Sequence, residues 1–485
     1  MRRKGSVGSL SLCFAVAFVG LCAAAYGAEP VDIGSRLELF VDELLVDHLR
    51  GDARLHLHKP EPQEVVLTTD APWEGNTSAY FTVFHDGDLY RMYYRGSHYD
   101  TTTRKRTHRE VTCYAESTDG IRWTKPELGL FEFEGSKANN IIWDGQGTHN
   151  FTPFKDANPD CPPEARYKAL AGGGGGLRAL QSADGIRWSL MAEKAVITKG
   201  AFDSQNLAFW DAARGRYADY HRGFRDGVRD IMTCTSADFL TWTEPEWLEY
   251  PGAPKEHLYT NAILPYERAP HILIGFPTRY LPKTQQVEPT LMAGRDGRTF
   301  HRWTEAIIPV TAPEDREGNR SNYMAWGMLR LPGADRELSM YASEAYYTGP
   351  DSRMRRFTYR VDGFVSLRAN AEGGELLTRP ITFAGGKLVL NFATGEGGSV
   401  RVEVQDAGGT PIDGFALADC APLSGDEIDH AVRWQTGGDL RALAGRPIRL
   451  RIVLANADVY SLRFTDSSVL YKSSTSSPRR RRSAR

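Results

Sequence analysis

This 485-residue chain lacks an excess of either charge. Its 59 Lys and Arg meet 61 Asp and Glu, for a formal net charge of −2, and no basic face stands out. That argues against nucleic acid as the main partner. Cysteine is scarce as well. Two of the six, Cys13 and Cys22, fall in an apolar leader, and Cys113, Cys161, Cys234 and Cys420 remain. Their spacing fits no zinc motif, and nothing in it calls for a disulfide. After Leu10–Ala25 there is no long apolar run, so no membrane span is expected. Leu10–Ala25 itself follows a basic MRRK and precedes small residues, with a cut expected after Gly27 or Ala28. This is the layout of a secretory signal over 1–28, and it predicts a secreted or periplasmic protein. Val19-Gly20-Leu21 ahead of Cys22 is a poor lipoprotein box, because small residues are expected there.

Glycine, by contrast, is plentiful at 47 residues, and aromatics make up 11%. Together they suit a turn-rich β protein. Residues 202–245 show one unit of it. Asn206–Trp210, Arg216–Arg222 and Arg229–Thr235 read as strands, with DAARG and GFRDG as turns, and Thr241–Trp242 begins a short outer strand. The outer turn recurs as STDGIRW (Ser117–Trp123), SADGIRW (Ser182–Trp188), SADFLTW (Ser236–Trp242) and GRDGRTFHRW (Gly294–Trp303). Their tryptophans are 65, 54 and 61 residues apart. One four-stranded sheet per repeat at this period predicts a propeller.

Aligned on these turns, the inner strands are Ala79–Phe84, Phe151–Phe154, Asn206–Trp210, Thr260–Pro265 and Tyr323–Leu331. The expected fold is all-β, a five-bladed β-propeller over 67–370 followed by a small β-sandwich over 371–467. Residues 29–66 form an N-terminal extension or ring-closing strand, with Leu37–Leu57 the stretch read as closing the ring or packing on its side. The polar, basic tail over 468–485 is expected to be disordered.

Propeller topology sorts the loops. Those before inner strands, and those joining second to third strands, share one face, here the near face. The short HDGD, KDANPD, DAARG and Ser-x-Asp turns fall on the far face and read as scaffold. The near-face loops are longer and rich in Glu, Asp, Arg, His, Asn and Tyr. Polar groups converging on a channel mouth are what a sugar site needs.

A leader, five blades with SADGIRW-type turns and a trailing β-sandwich resemble the five-bladed propeller glycoside hydrolase superfamily. That group holds the invertase and levanase, levansucrase and arabinanase-like families, numbered 32, 68 and 43. The chain is similar in architecture and divergent in motif, having no WMNDPNG-like segment and no RDP or EC pair. The resemblance implies a hydrolase acting on oligo- or polysaccharide, of furanoside or related type, with a carboxylate acid/base pair. A non-catalytic carbohydrate-binding propeller is the alternative, and the missing motifs favour it. A protein-interaction propeller is a third reading, set back by the long polar near-face loops. No cofactor and no metal are expected.

Glycoside cleavage uses two carboxyl groups, about 5–5.5 Å apart for retention and about 6.5–9.5 Å for inversion. The near-face carboxylates are Glu74, Asp100, Glu110, Asp203, Asp226, Asp230, Glu256, Glu288, Asp315, Glu317 and Glu344. Asp203 leads, since it precedes an inner strand in a DSQN context where Ser204 and Asn206 can orient it. Glu74 precedes the first blade beside Trp73, a ring able to raise a carboxyl pKa or stack on sugar. Glu256 precedes the fourth inner strand, and Glu344 ends the second strand of the fifth blade. Arg95, Arg222, Arg225 and Arg279 sit at or beyond the ends of second strands, where they can hold hydroxyls, a carboxylate or a sulfate. His149 and His257 occupy equivalent loops and can bind hydroxyls or a metal. Asn206, Asp226 and Asn261 complete the substrate-binding candidates. Ordinary roles compete throughout: turn capping for Asp203, ion pairing for the glutamates and arginines, sheet packing for the aromatics. The Gly172–Gly176 run lacks the strand–helix context of a phosphate loop and reads as keeping one side of the mouth open.

Overall fold

The computed structural model describes residues 29–173, 175–310, 322–435 and 437–467. The expected signal segment and tail, and the near-face residues Asp315 and Glu317, lie outside the described residues.

The protein is all-β, with five blades around an axis and a separate sheet assembly beside them. Blade I comprises Ala79–Asp86, Leu89–Gly96, Val111–Ser117 and Ile141–Trp143, each strand antiparallel to the next. Blade II comprises Thr152–Lys155, Tyr167–Gly173, Gly176–Ser182 and Ser189–Leu190. Blade III comprises Leu207–Asp211, Arg216–Arg225, Val228–Ser236 and Glu246–Trp247. Blade IV comprises Leu264–Tyr266, Ala269–Gly275, Leu291–Gly294 and Phe300–Trp303. A hairpin of Thr278–Leu281 with Gln286–Pro289 rises from its second-to-third connection.

Blade V closes the ring. Glu337–Glu344 pairs with Arg353–Arg360, which pairs with Glu61–Thr68 from the N-terminal part of the chain. The inner position is filled by residues 324–329, bridged to Ala342 and Ser339. The closing strand is therefore Glu61–Thr68. Leu37–Leu57, expected to close the ring or to pack on its side, pairs with the second sheet assembly: Val46–Gly51 with Gly374–Thr378, and Arg54–Leu57 with Val365–Ala369. Val365–Ala369 was assigned to the propeller from sequence, and it too belongs to that assembly. Hydrophobic alternation alone does not say which sheet a strand joins, because either partner buries the same face. The long strands Lys387–Asp406 and Ile448–Thr465 form its spine, around a core of Leu390, Val402, Ile452 and Phe464.

The recurrent turn has one chemistry in three blades. Ser117 Oγ accepts the Asp119 and Gly120 amides at 3.2 and 2.9 Å, and Asp119 Oδ1 accepts the Ile121 and Arg122 amides at 2.9 and 2.8 Å. Trp123 Nε1 then donates to the Gly120 carbonyl at 3.1 Å. Ser182, Asp184 and Trp188 repeat the set, as do Ser236, Asp238 and Trp242. Short polar side chains satisfy the amides that a tight turn leaves unpaired. Gly120 and Gly185 adopt φ 73° and 78°, and Phe239 stands at the same point of blade III with φ 69°. Its fully buried ring packs on Phe154, Tyr217 and Trp242.

The channel is blocked midway. Trp326 Nε1 donates to the Ile263 carbonyl at 2.8 Å, and its ring lies near Phe154 and Phe209. The inner segments of blades I and V bond directly, Val83 N to Trp326 O and Trp326 N to Phe81 O, both at 2.8 Å. Gly327 permits that approach, since a Cβ there would meet the Val83 carbonyl at 2.0 Å. The near-face mouth is thus a blind funnel. A separate cavity of about 840 Å³ lies below the plug on the far face, lined by Phe84, Phe154, Phe209, Trp210 and Trp326.

Candidate functional site

Side chains from all five blades meet at the near-face mouth. Blade I contributes Tyr80 and Arg95. A register shift between Ala79 and Thr82 places Tyr80 at φ 58°, a bulge that re-aims one side chain. The Arg95 guanidinium lies 4.9 Å from the Tyr80 ring. Its Nη2 donates to the Thr77 carbonyl at 2.6 Å and to the Tyr346 hydroxyl at 3.0 Å. Tyr346, from blade V, continues an aromatic chain. Its ring centroid is 5.5 Å from Tyr323, and Tyr323 is 5.7 Å from Tyr259 of blade IV. The Arg222 guanidinium of blade III closes the circle, 4.8 Å from the Tyr259 ring. Burial pushes the phenols of Tyr80 and Tyr323 far up from their ordinary range, and the neighbouring phenols add to this. They are neutral hydrogen-bonding walls.

Two functional groups face the open cavity of about 520 Å³ at this mouth. It is lined by His149, Asn150, Gly172, Gly173, Gly175, Gly176, Thr198, Gly200, Phe202 and Asp203. The Asp203 side chain is 70% exposed and forms an ion pair with Arg222, itself only 4% exposed. The Tyr80 hydroxyl donates to the Asp203 carbonyl at 3.1 Å, tying blade I to blade III. His149 Nδ1 lies 3.0 Å from both Glu110 oxygens. Arg106 at 3.0 Å and Arg95 at 3.8 Å also neighbour Glu110. Burial pushes the Glu110 carboxyl up, but the His149 bond and the two arginines outweigh it and hold it below the usual carboxylate range. His149 is pushed below its ordinary value, with burial the largest cause and Arg95 adding to it, against the pull of Glu110. The glycine run is what lets the walls come together. A Cβ on Gly172 would meet the Asn150 amide and the Phe202 carbonyl at 2.8 Å, and one on Gly176 would meet the Ile197 carbonyl at 2.3 Å.

Of the residues expected from sequence, Arg95, His149, Asp203 and Arg222 are brought together here. Asn206 lies just behind, its Nδ2 donating to the Ser204 carbonyl at 2.8 Å. The others are elsewhere. Glu74 is buried in blade I, accepting from Tyr94 Oη and Lys125 Nζ at 2.6 Å each and from the Ala71 amide at 3.1 Å. Trp73 donates to Asn140 Oδ1 at 2.7 Å and packs on Phe133. Glu256 bridges Arg279 at 2.9 Å and Arg302 at 2.5 Å, and Arg279 also holds Glu288. Glu344 is fully buried against Arg355 at 2.6 Å. These carboxylates are committed to separate ion pairs, which corrects their reading as a catalytic set. Arg225 pairs with Asp230 at 2.5 Å, and the exposed Asp226 with Lys255 at 2.9 Å. Asn261 braces the backbone, donating to the Tyr220 carbonyl at 3.2 Å and accepting the Ile263 amide at 3.1 Å. His257 Nδ1 accepts the Arg229 amide at 3.2 Å.

Glu110 as the partner of His149, the tyrosine chain and Arg229 were not singled out from sequence. A signal existed for the tyrosines: Tyr80, Tyr259 and Tyr323 each stand at or beside the first residue of an inner strand in SAYF, LYTN and SNYM.

One group of potential metal ligands occurs among the described residues: Asp219, His221 and Cys234, all buried inside blade III. His221 Nδ1 lies 2.5 Å from Asp219 Oδ2, and its Nε2 is 3.0 Å from the Lys199 carbonyl. Both ring nitrogens of His221 are thus already engaged by protein oxygens.

No protein-family model matches the chain, and no curated protein matches it. Solved structures resemble it at low identity. A glycosyl hydrolase from Bacteroides ovatus is 14% identical, with TM-score 0.38, covering 67% of this chain and 93% of its own. A β-1,2-mannobiose phosphorylase from Listeria innocua is 12% identical, with TM-score 0.39 and coverage of 64% and 97%. An N-acetylgalactosamine deacetylase from F. plautii is 12% identical, with TM-score 0.42 and coverage of 65% and 97%. These likenesses carry nothing about chemistry here, for which the site must speak.

Proposed function

We propose that the protein is a glycoside hydrolase whose site is the near-face mouth. The carrying observation is the convergence there of an open carboxylate, Asp203, and a His149–Glu110 pair within a neutral tyrosine and arginine surround. Tyrosine hydroxyls and faces, with guanidinium forks, are suited to sugar hydroxyls and ring faces. His149, kept neutral by burial, accepts a proton from the attacking water at Nε2 once Arg95 Nη1, 3.2 Å from that nitrogen, gives it up, and Glu110, 3.0 Å from Nδ1, orients the ring and steadies the imidazolium that forms. Asp203 protonates the leaving oxygen. That role requires the substrate to draw Arg222 off the carboxylate, because the ion pair favours the ionised form. Export of the protein belongs to this reading, from the leader over 1–28.

One observation favours a second reading, a non-catalytic carbohydrate-binding propeller. Among the described residues Asp203 is the one carboxylate lining this cavity, and the glutamates expected beside it are locked in ion pairs elsewhere. Hydrolysis of a diverse glycan panel by wild type, Asp203→Asn and His149→Gln separates the two. Turnover lost in both variants supports hydrolysis. Binding without turnover by the wild type supports the second reading.

A further inference from the structure

We infer that the near-face mouth selects glycans carrying an oxyanion, a uronic carboxylate or a sulfate ester, through Arg222 and Arg229. This rests on the mouth being a carbohydrate site. The two guanidinium groups share the same pair of rings. Arg222 lies 4.8 Å from Tyr259 and 5.3 Å from Phe224, and Arg229 lies 5.1 and 5.6 Å from those rings and 4.6 Å from Tyr280. The shared rings hold both guanidinium groups in one neighbourhood of the mouth.

Their partners are too few. Arg222 is 4% exposed, and its ion pair is with Asp203 alone. Its Nε and Nη1 are buried with no hydrogen-bond partner, as is Nε of Arg229. Among the described residues no carboxylate lies within ion-pair distance of Arg229. A desolvated guanidinium donor without an acceptor is costly, so such a group directly behind Asp203, which lines the mouth cavity, marks where an acceptor belongs. Among the described residues two cations and one carboxylate leave a local surplus of positive charge, which a hydroxyl does not neutralise and an oxyanion does. Carboxylate and sulfate offer the paired oxygens that a guanidinium fork fits. Phe224 is 54% exposed beside the two forks, a platform for the apolar face of the sugar that bears the anion.

The test uses matched ligands and calorimetric binding to the full chain: oligogalacturonides against their methyl esters, sulfated against desulfated chondroitin oligosaccharides, and inorganic phosphate alone. The expected result is at least tenfold tighter binding of an acidic member than of its neutral match, weakening with salt. Arg229→Met, which keeps the apolar stem, should cut that ratio to near one. Arg229→Lys, which keeps charge and loses the fork, should give an intermediate ratio and guards against a folding defect in the first variant. Equal binding of acidic and neutral members, with Arg229→Met changing nothing, overturns the inference and leaves the sugar site standing. Phosphate binding without preference for any acidic glycan overturns it in favour of a free oxyanion. If no glycan binds and Asp203→Asn alters nothing, the reading of the mouth itself has failed.

Discussion

Glu74→Gln distinguishes a catalytic carboxylate from one that holds a blade together. Glu74 is completely buried and is paired at 2.6 Å with Lys125, whose side chain is 20% exposed. The substitution keeps the shape and removes the charge. Tyr94 retains an acceptor in the amide oxygen. Lys125 keeps Asp70 at 2.9 Å and the Thr68 carbonyl at 2.6 Å, so it is weakened rather than stranded. Removing one partner of a buried pair costs about 3–5 kcal/mol, and the remaining partners put this case near the lower end, about 3 kcal/mol. At about 2–4 °C per kcal/mol, the expected fall in melting temperature is about 6–12 °C. Adding Lys125→Met removes the uncompensated ammonium and should restore about 1–2 kcal/mol. Thermal and urea denaturation read both effects, and glycan turnover per folded molecule should stay at the wild-type level. An unchanged melting temperature together with lost turnover would refute the structural role and return Glu74 to the mechanism.

Further outcomes follow from other sites. His58, half-buried where the second sheet assembly meets blade V, is pushed down from 6.5 to about 4, chiefly by loss of solvent around the ring. The unfolded chain binds that proton first, so its contribution is complete above 6.5 and is lost as pH falls toward 4. At about 1.4 kcal/mol per unit the loss reaches about 3 kcal/mol, and His58→Gln should flatten the stability profile across that window in urea titrations at stepped pH. Gly185→Ala should cost about 1–2 kcal/mol, because φ is 78° and a Cβ would meet Arg91 Nη1 and Tyr93 Oη at 2.8 Å. A loss below about 0.5 kcal/mol in denaturant melts would contradict that account of the turn. The rate of hydrolysis should fall on an acid limb lying below 6.5, as His149 gains its proton, and an acid limb centred above 6.5, or none at all, would remove His149 as the base.

The fold was legible where the chain repeats itself. Ser117, Ser182 and Ser236 each head a turn whose hydrogen bonds are local, so seven residues specify them. The ring closure was not legible, because Glu61–Thr68 pairs with Arg353–Arg360 almost 300 residues away, and either sheet would bury the same face of Leu37–Leu57. The site was half legible. Asp203 and Arg222 were placed correctly at the mouth by loop topology, as were Arg95 and His149. Glu74, Glu256 and Glu344 occupy comparable loop positions, but a single chain does not reveal that Lys125, Arg302 and Arg355 come to meet them. The tyrosine chain was hidden for the same reason. Tyr80, Tyr259, Tyr323 and Tyr346 are ordinary sheet aromatics until the ring brings their strand ends into one funnel.

The most direct measurement is turnover of a broad glycan panel by wild type and Asp203→Asn side by side, with melting curves on both. The mouth as a hydrolytic site predicts at least one glycan cleaved by the wild type, a fall of about 100-fold or more in turnover per folded molecule of the variant, and a variant still folded at the assay temperature. A cleaved glycan whose rate is the same in Asp203→Asn would contradict it.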